Sequence, residues 1–388
     1  MKTVSPSNDR GTVLPADEHS GGSRSRRLRP LADVTLAHVG HFNPDYSRNR
    51  IMAKALRRAG AAVLTVSDRR PFMRRTPHLA RELSRLRVDA LLVGFPGHAD
   101  VAVARLAGRG APVLFDAFVG LYETAVEDRE LVARTSFGAC RYTAEDRLGC
   151  RLAHRVIVDT DAHLRYFAEH IGVSTQRLRR LWVGADDDVM QPGPPPDDTT
   201  FRVFVYTSFV PLHGLSYVVH AAKVLERSGA DIRFDIVGSG QTETEVRRLA
   251  ADLDLRSVRF LGHRPYEDLP ALMAASHLCL GVFGTSGKAA RVIPNKVFDA
   301  LAVARPVLTA DTPAAREVLT HGENAWLCPP GDPEVIAESI VTLSSDAAAR
   351  KRLAEEGHRL FMRRFSIDAL SVDVATLVLD AIGSVDHG

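Results

Sequence analysis

Three basic side chains stand close together in the C-terminal half of the chain, and they suit the binding of an anion. Lys288, Arg291 and Lys296 lie within nine residues, although the 388-residue chain has only six lysines beside 44 arginines. Pro294 suits the first position of a helix, so Lys296 is expected in the first helical turn, where the helix dipole disfavours a cation. The free N–H groups of a helix start favour a phosphate. The cluster therefore predicts an anion site, with a solvated basic loop as the plain alternative.

Two further loops of the same half follow apolar strands and open helices. One is Tyr206–Gly214, which contains His213, and the other is the run Gly238-Ser239-Gly240. Glycine lets a backbone approach a ligand closely, although this run also suits a plain tight turn. Because the carboxyl ends of parallel strands meet at one edge of a sheet, the three loops together predict a cradle for a nucleoside diphosphate.

The elements that must position these loops are apolar strands that alternate with helices. Short apolar runs such as Val34–Val39 and Ala90–Phe95 are typical of buried parallel strands, and helical patterns separate them. This α/β alternation stops in the Pro- and Asp-rich stretch 187–200 and restarts at Phe201, which predicts two Rossmann-like parallel-sheet domains facing each other across a cleft. The predicted divisions are a disordered tail (1–31), an N-terminal acceptor-side domain (32–190), a linker (191–200), a C-terminal donor domain (201–365) and a C-terminal helix that packs back on the N-terminal domain (366–388).

Composition excludes several classes of protein. A formal net charge of +3 is too small to indicate nucleic-acid binding. No apolar run reaches the ~18 residues of a membrane span, and the N-terminus lacks a hydrophobic signal core. Four cysteines without CxxC spacing indicate buried thiols rather than a disulfide framework or a zinc site. We therefore expect a cytoplasmic protein with at most peripheral membrane contact through the Arg-rich run at 24–29, for which a solvated tail is the alternative.

The C-terminal half resembles the donor-binding half of glycosyltransferase family 4, whose members have the two-domain GT-B fold. The resemblance rests on IVGSGQ from Ile236, FLGHRP from Phe260, IPNKVFDALAVARPVLT from Ile293, GENAWLCPPGDPE from Gly322 and FMRRFS from Phe361. It implies a retaining glycosyltransferase that moves a sugar from a nucleoside-diphosphate donor to a hydroxyl of a small-molecule or glycan acceptor. Antibiotic or surface-glycan biosynthesis is the implied setting, and no metal cofactor is expected.

The family's Glu-x7-Glu motif is only half kept in this chain. The second carboxylate, which in the family is expected to hold a ribose hydroxyl, falls on Asp299, and the first falls on Arg291, a reversal of charge. His213 stands where the family usually has a phosphate-binding lysine. These departures leave open an active transferase that uses Lys288 and Arg291 on the diphosphate, another GT-B enzyme such as a nucleotide-sugar epimerase or a phosphorylase, and a catalytically silent partner subunit.

In the N-terminal half, Asp116 stands where the family commonly has a histidine that touches the donor sugar. It is expected to bind a sugar hydroxyl, with a helix cap or the partner of a nearby arginine as the alternative. The first strand–helix loop is expected to meet the acceptor or the diphosphate through Gly40, Asn43, Tyr46 and Arg48.

The resemblance and the loops together give the full set of predicted site residues. The catalytic group is Asp116, His213, Lys288, Arg291 and Lys296. The donor-binding group is Gly214, Gly238, Gly240, Gly262, His263, Arg264, Asn295 and Asp299. The carboxylates of Asp186–Asp188 would suit a divalent cation, but we expect them to form a turn.

Overall fold

The chain folds into two separate parallel sheets in the computed structural model, which describes residues 30–196 and 200–384. The first sheet contains β1 (Thr35–Gly40), β2 (Ala62–Ser67), β3 (Ala90–Val93), β4 (Val113–Phe118), β5 (Arg155–Val158) and β6 (Leu178–Arg180). The second contains β7 (Phe201–Thr207), β8 (Ile232–Gly238), β9 (Val258–Gly262), β10 (Leu278–Leu280), β11 (Val307–Ala310) and β12 (Trp326–Cys328). The prediction of a two-domain, Rossmann-like α/β architecture is confirmed.

Helices connect the strands and cover the sheets. They are α1 (Ser47–Arg58), α2 (Phe72–Arg85), α3 (Asp100–Ala107), α4 (Phe137–Leu152), α5 (Asp161–Tyr166), α6 (Leu215–Arg227), α7 (Glu243–Asp252), α8 (Leu269–Ala274), α9 (Gly287–Arg291), α10 (Asn295–Ala302), α11 (Pro333–Ser345), α12 (Ala347–Arg364) and α13 (Ile367–Gly383). Short polar side chains begin several of them by accepting a free N–H of the first turn, among them Ser136, Thr160, Ser286, Asp332, Asp346 and Ser366.

The order of the strands decides where a ligand can bind. The first sheet runs β2-β1-β3-β4-β5-β6 and the second β12-β11-β10-β7-β8-β9. In the second sheet the direction of winding reverses between β7 and β10, and doubly wound sheets bind ligands in the crevice at such a point. The loops that follow these two strands are the ones that carry His213 and the basic cluster.

The C-terminal helix α13 ties the end of the chain to the first sheet. It packs on α1 and reaches β3 and β4. Asp380 on this helix pairs with Arg155 and Arg179 of the first sheet. Where the two domains meet, the ring of Phe365 packs edge-on against Trp182 from the first domain and Phe298 from the second. Both sheets and α13 therefore share one apolar contact region.

Local structure differs from the sequence prediction at several places. The sequence pattern of 181–183 favours a last strand of the first half, but that strand is at 178–180. The stretch before His154 has a helical pattern, and it contains a π-helical segment (Glu123–Asp128), a loop and α4. The predicted loop before Pro294 contains the short helix α9, and Pro294 itself is the N-cap of α10. Three of the four free cysteines are buried as predicted, but Cys140 is exposed.

Some predictions concern residues outside the described ranges. These are the tail at 1–29, the linker residues 197–199 and the last four residues, 385–388. Leu31, which we assigned to the tail, is fully buried. Among residues 30–196 and 200–384, none of the helices is both long enough and apolar enough to cross a bilayer.

The packing of α13 predicts a strong contrast between two leucines of this helix. Leu370 is buried and Leu379 is 46% exposed. Leu370→Ala should lower the free energy of unfolding by about 2–5 kcal/mol, because it leaves a cavity in the core. Leu379→Ala should change it by no more than about 0.5 kcal/mol. Urea unfolding followed by tryptophan fluorescence measures both, and equal effects would contradict the packing of α13.

Candidate functional site

A cavity of about 430 Å³ lies between the two domains, at the carboxyl ends of both sets of strands. Its charged and hydrogen-bonding lining comes from both domains and includes Tyr46, Thr124, Arg129, Asp159, Tyr206, Thr207, His213, His263, Arg264, Tyr266, Lys288, Asn295 and Lys296. Gly238 and Ser239 also line it. Polar groups therefore converge on one cleft, as expected of a small-molecule site.

Lys296 is the most unusual of these side chains. It is the second residue of α10 and is 4% exposed. Its Nζ lies 5.9 Å from the centre of the Tyr206 ring and has no hydrogen-bond partner among the residues that the structure describes. Burial lowers the pKa of Lys296 to about 7. A buried amine beside a helix start is poised to receive an anion, because an anionic group would supply its missing partner.

Lys288 reaches across the cleft from the second domain to the first. Ser286 caps α9 and also donates to Asp128 Oδ1 at 3.0 Å. Lys288 Nζ then donates to Thr124 Oγ1 at 2.7 Å. Burial lowers the pKa of Lys288, although Glu123 and Asp128 oppose that shift. The structure therefore brings Lys288 and Lys296 into the same cavity, as the sequence predicted.

Arg291 does not join them, which corrects the prediction of three converging cations. Its guanidinium lies outside the cavity lining, 2.8 Å from Glu123 Oε2 and 3.1 Å from Glu127 Oε2. It also stacks over the ring of Tyr166 at 4.1 Å. The physical reason is that Glu123 is fully buried and a buried carboxylate requires a partner. The residue that reverses the charge of the family motif thus forms an ion pair with the other domain.

Glu123 belongs to a buried chain of charged groups. Its Oε1 lies 2.9 Å from His163 Nε2, and His163 Nδ1 contacts Asp159 Oδ1. Burial alone would lower the pKa of His163, but Glu123 and Asp159 overcome this effect and raise it to about 9. Burial alone would likewise raise the pKa of Glu123, but His163, Lys288 and Arg291 lower it to about 2. The imidazole is therefore a cation at neutral pH, held between two carboxylates.

Two phenols that line the cavity contact the carboxylate of Asp299. Its side chain is fully buried, Oδ1 accepts from Tyr266 at 2.9 Å, and Oδ2 accepts from Tyr206. Burial raises the pKa of Asp299 to about 7, although the two hydrogen bonds oppose the shift. Tyr206 and Tyr266 line the cavity and Asp299 lies outside its lining, in contact with the two tyrosine hydroxyls.

His213 is neutral in this setting. Burial lowers its pKa well below the usual value, and Lys296 and Arg129 add to that effect. Its Nδ1 lies 2.7 Å from Thr207 Oγ1, which already accepts from the N–H of Phe209. The proton of Thr207 can therefore go to Nδ1, which leaves the Nε2 proton of His213 for a ligand.

Gly238 lines the cavity, but its contact with the backbone of Thr207 is the reason that this position requires glycine. A Cβ at Gly238 would lie 1.8 Å from the carbonyl oxygen of Thr207. The close approach of two backbone segments thus requires the glycine. Of the remaining predicted donor-binding residues, His263, Arg264 and Asn295 line the cavity, and Gly214, Gly240 and Gly262 lie outside its lining.

Asp116 and Arg48 form a buried pair away from the cavity. Arg48 Nε and NH2 donate to the two oxygens of Asp116 at 2.9 and 2.8 Å, and its NH1 donates to the carbonyls of Leu181 and Trp182. The alternative that Asp116 is the partner of a nearby arginine therefore describes the contact. This pair fastens α1 and β4 to the segment that leads to the second domain.

Of the other residues predicted in the loop after β1, one lines the cavity and two do not. Tyr46 lines the cavity. Gly40 and Asn43 lie outside the lining, where Asn43 accepts hydrogen bonds from Asn49 and Asp45.

The Asp186–Asp188 triplet forms contacts within the protein. Asp186 pairs with Arg50 and Lys54, Asp188 pairs with Lys54, and Asp187 accepts the N–H of Ile367.

Sequence reasoning missed several residues that line the cavity. Thr124 lies in the π-helical segment Glu123–Asp128 and Arg129 follows that segment directly. The sequence shows no periodic pattern that predicts this segment. Tyr206 begins the loop Tyr206–Gly214, and its residue type alone does not indicate a ligand contact. Asp159 follows β5 directly, so its position at the carboxyl end of a buried strand was the signal that could have identified it.

The second domain is similar to a known family of proteins. Residues 201–346 match the family described as Glycosyl transferases group 1. This match supports the predicted class of enzyme, a glycosyltransferase.

Two curated relatives are similar to parts of the chain. The amylovoran biosynthesis glycosyltransferase AmsK of Erwinia amylovora is 27% identical over 137 residues, 35% of this chain and 34% of the relative. The alpha-D-kanosaminyltransferase of Streptomyces kanamyceticus is 23% identical over 170 residues, 42% of this chain and 41% of the relative. The matched stretches thus span about a third to two fifths of each relative.

Two solved structures share the fold over nine tenths of the chain. HepE of Anabaena in complex with UDP-glucose superposes with a TM-score of 0.68 at 18% identity, covering 90% of this chain and 99% of HepE. Sucrose-phosphate synthase of Thermosynechococcus elongatus superposes with a TM-score of 0.69 at 16% identity, again covering 90% and 99%. The prediction of a GT-B fold is confirmed.

The ion pair between the domains predicts unequal effects for its members. Arg291→Ala leaves the buried carboxylate of Glu123 without its guanidinium, so we expect a loss of about 2–4 kcal/mol in the free energy of unfolding. Glu127→Ala removes a partner that is 26% exposed, and it should cost about 1 kcal/mol or less. Chemical denaturation at pH 7 measures both. A loss for Arg291→Ala no greater than that for Glu127→Ala would contradict the assigned role of Glu123.

Proposed function

We propose that the protein is a glycosyltransferase that moves a sugar from a nucleoside-diphosphate donor to an acceptor hydroxyl. The observation that carries this proposal is the buried amine of Lys296 at the start of α10, in a cavity that Lys288 and Arg129 also line. A diphosphate placed there would meet two lysines, one arginine and the free N–H groups of the helix start. The fold supports the proposal, since ligands of doubly wound sheets bind at this edge.

The remaining lining residues suit the other parts of such a donor. His263, Arg264 and Asn295 are polar groups from the second domain that can hold the nucleoside. The hydroxyls of Tyr206 and Tyr266, backed by Asp299, can meet a ribose. A UDP-glucose complex of HepE, which shares the fold, supports a nucleotide sugar as the class of donor.

The chemistry needs charge stabilisation more than it needs a nucleophile. The bond between the anomeric carbon and the phosphate oxygen breaks, a bond from the acceptor oxygen to the same carbon forms, and the hydroxyl proton passes to the departing diphosphate. Lys288, Lys296 and Arg129 would stabilise the negative charge that develops on the diphosphate. Retention of the anomeric configuration and independence from metal ions are what the family resemblance implies, and both belong to the proposal.

The acceptor is proposed from the similarity to known enzymes. The two curated relatives are named for amylovoran biosynthesis and for kanosaminyl transfer. We therefore infer a role in surface-glycan or secondary-metabolite biosynthesis. In this arrangement the first domain, with Tyr46 and Asp159 at the cleft, would receive the acceptor and the transferred sugar.

Binding of nucleoside diphosphates tests the proposal directly. UDP, GDP and ADP are each added to the purified chain, and the thermal midpoint of unfolding is measured. One of them at a hundred times its dissociation constant should stabilise the protein by about 2.7 kcal/mol, because a ligand that binds only the folded state raises apparent stability. If none of the three shifts the midpoint at millimolar concentration, the proposed donor site is contradicted.

Replacing Lys296 should separate binding from stability. Its pKa is lower in the folded chain than in the unfolded chain, so the ionised lysine destabilises the fold below about pH 7, and this cost disappears as the pH rises toward 10.5. Lys296→Met should therefore stabilise the protein at pH 6 by about 1–4 kcal/mol. It should also weaken binding of the nucleoside diphosphate about ten- to a hundredfold, because a charged partner of the phosphate is lost.

Lys351→Met is the matched control, because Lys351 is an exposed residue of α12 whose side chain is 78% accessible. The free energy of unfolding at pH 6 and the affinity for the nucleoside diphosphate should both stay near the wild-type values in that variant. Destabilisation by Lys296→Met with unchanged binding would mean that Lys296 is an ordinary structural lysine.

A further inference from the structure

Asp159 lines the cleft from the first domain, whereas Lys288 and Lys296 line it from the second. It follows β5 directly and is 1% exposed. One carboxylate oxygen, Oδ1, contacts His163 Nδ1. The other, Oδ2, is buried and finds no hydrogen-bond partner within the described ranges of the chain. A buried carboxylate oxygen is costly to leave unpaired, so this atom calls for a ligand in the cavity.

The surroundings of Asp159 fix the position of its carboxylate. His163 stands between Asp159 and Glu123, and Glu123 in turn pairs with Arg291 of the second domain. Thr160, the next residue, donates to the carbonyl oxygen of Arg291 at 2.6 Å. Glu317 of the second domain accepts the N–H groups of Asp161 and Ala162 at 2.8 and 2.7 Å. Both domains therefore hold the start of α5 in place, as a preorganised binding group requires.

The charge of Asp159 determines what kind of group it can bind. An ionised carboxylate only accepts hydrogen bonds, so its partner must be a donor. Because it repels a diphosphate, it is suited to the part of the substrate that carries hydroxyl groups and no charge. Among the parts of a nucleotide sugar and its acceptor, sugar hydroxyls fit this description and lie at the reacting end.

We propose that Asp159 binds a sugar hydroxyl group in the cleft and that His163 and Glu123 act as positioning residues for it. This assignment rests on the proposed function, since it takes a nucleotide sugar or a glycan as the ligand of the cavity. The hydroxyl belongs either to the transferred sugar of the donor or to the acceptor. The two sources present the same chemistry, and binding measurements can separate them.

The test compares Asp159→Asn with the wild type in three binding or kinetic arms. The first arm measures the affinity for UDP, GDP and ADP, the second that for UDP-glucose, GDP-mannose and ADP-glucose, and the third the KM for p-nitrophenyl hexosides as acceptors. We expect unchanged affinity for the nucleoside diphosphate and a loss of about ten- to a hundredfold in the second or the third arm, the range that one hydrogen bond to a charged group supplies. A loss in the second arm assigns the hydroxyl to the donor sugar, and a loss in the third alone assigns it to the acceptor.

Asp161→Asn is the matched control, because Asp161 lies two residues away, has a side chain that is 43% exposed, and pairs with Arg180. It should behave as the wild type in all three arms. The wild type also provides a test that does not depend on the folding of any variant. Among sugar analogues that each lack one hydroxyl group, one should bind or react about ten- to a hundredfold more weakly, and it should lose nothing further in Asp159→Asn.

Three results would overturn the assignment. In the first, Asp159→Asn equals the wild type in every arm. In the second, it weakens the nucleoside diphosphate as much as the nucleotide sugar, which is the mark of a structural role. In the third, removal of single hydroxyl groups leaves the wild type unaffected. If the wild type bound neither nucleoside diphosphates nor nucleotide sugars, the proposed function itself would fall together with this assignment, so the two failures can be told apart.

Discussion

The buried carboxylate of Glu123 is the constraint on which the arrangement of the cleft depends. A charge removed from water must find partners, and Glu123 finds a histidine in its own domain and an arginine in the other. Its negative charge keeps His163 protonated, and His163 in turn contacts Asp159 at the edge of the cavity. A single requirement for charge compensation therefore connects the interface between the domains with the position of a group in the site.

Lys296 differs from Glu123 in that the described residues do not compensate its buried charge. Its amine is buried and finds no hydrogen-bond partner in the part of the chain that the structure describes, and the cost appears as a lowered pKa. Stability alone would favour an apolar side chain at this position. The retained lysine is explained if a ligand supplies the negative charge. Burial also lowers the pKa of Lys288, although Glu123 and Asp128 oppose that shift. In this view the cleft is destabilised in the free protein at the places where a diphosphate would bind.

The fold could be predicted because strand and helix periodicity is a local signal, and the two sheets follow from it. Lys288, Lys296, His213 and the carboxyl ends of the strands were likewise predictable, because loops at one sheet edge must converge. The partner of Arg291 was not predictable, since Glu123 lies 168 residues away in the sequence. Asp116 was misjudged for the same reason: its position after a strand suited a ligand, but only the fold places the guanidinium of Arg48 against it. Asp159 also follows a buried strand, and it does line the cavity. A carboxylate at the end of a strand is therefore a candidate site residue, but the sequence does not show which such carboxylate faces the cavity.

The pKa of Lys296 in the free and the nucleotide-bound protein tests the central claim most directly. With only six lysines in the chain, carbon-13 labelling of lysine gives a spectrum that Lys296→Met can assign. A pH titration of the free protein should give a pKa near 7 for Lys296. Saturation with the nucleoside diphosphate that binds should raise it toward the ordinary lysine value of about 10.4, because a phosphate would then neutralise the ammonium. A pKa near 10 in the free protein, or no change on binding, would contradict the account.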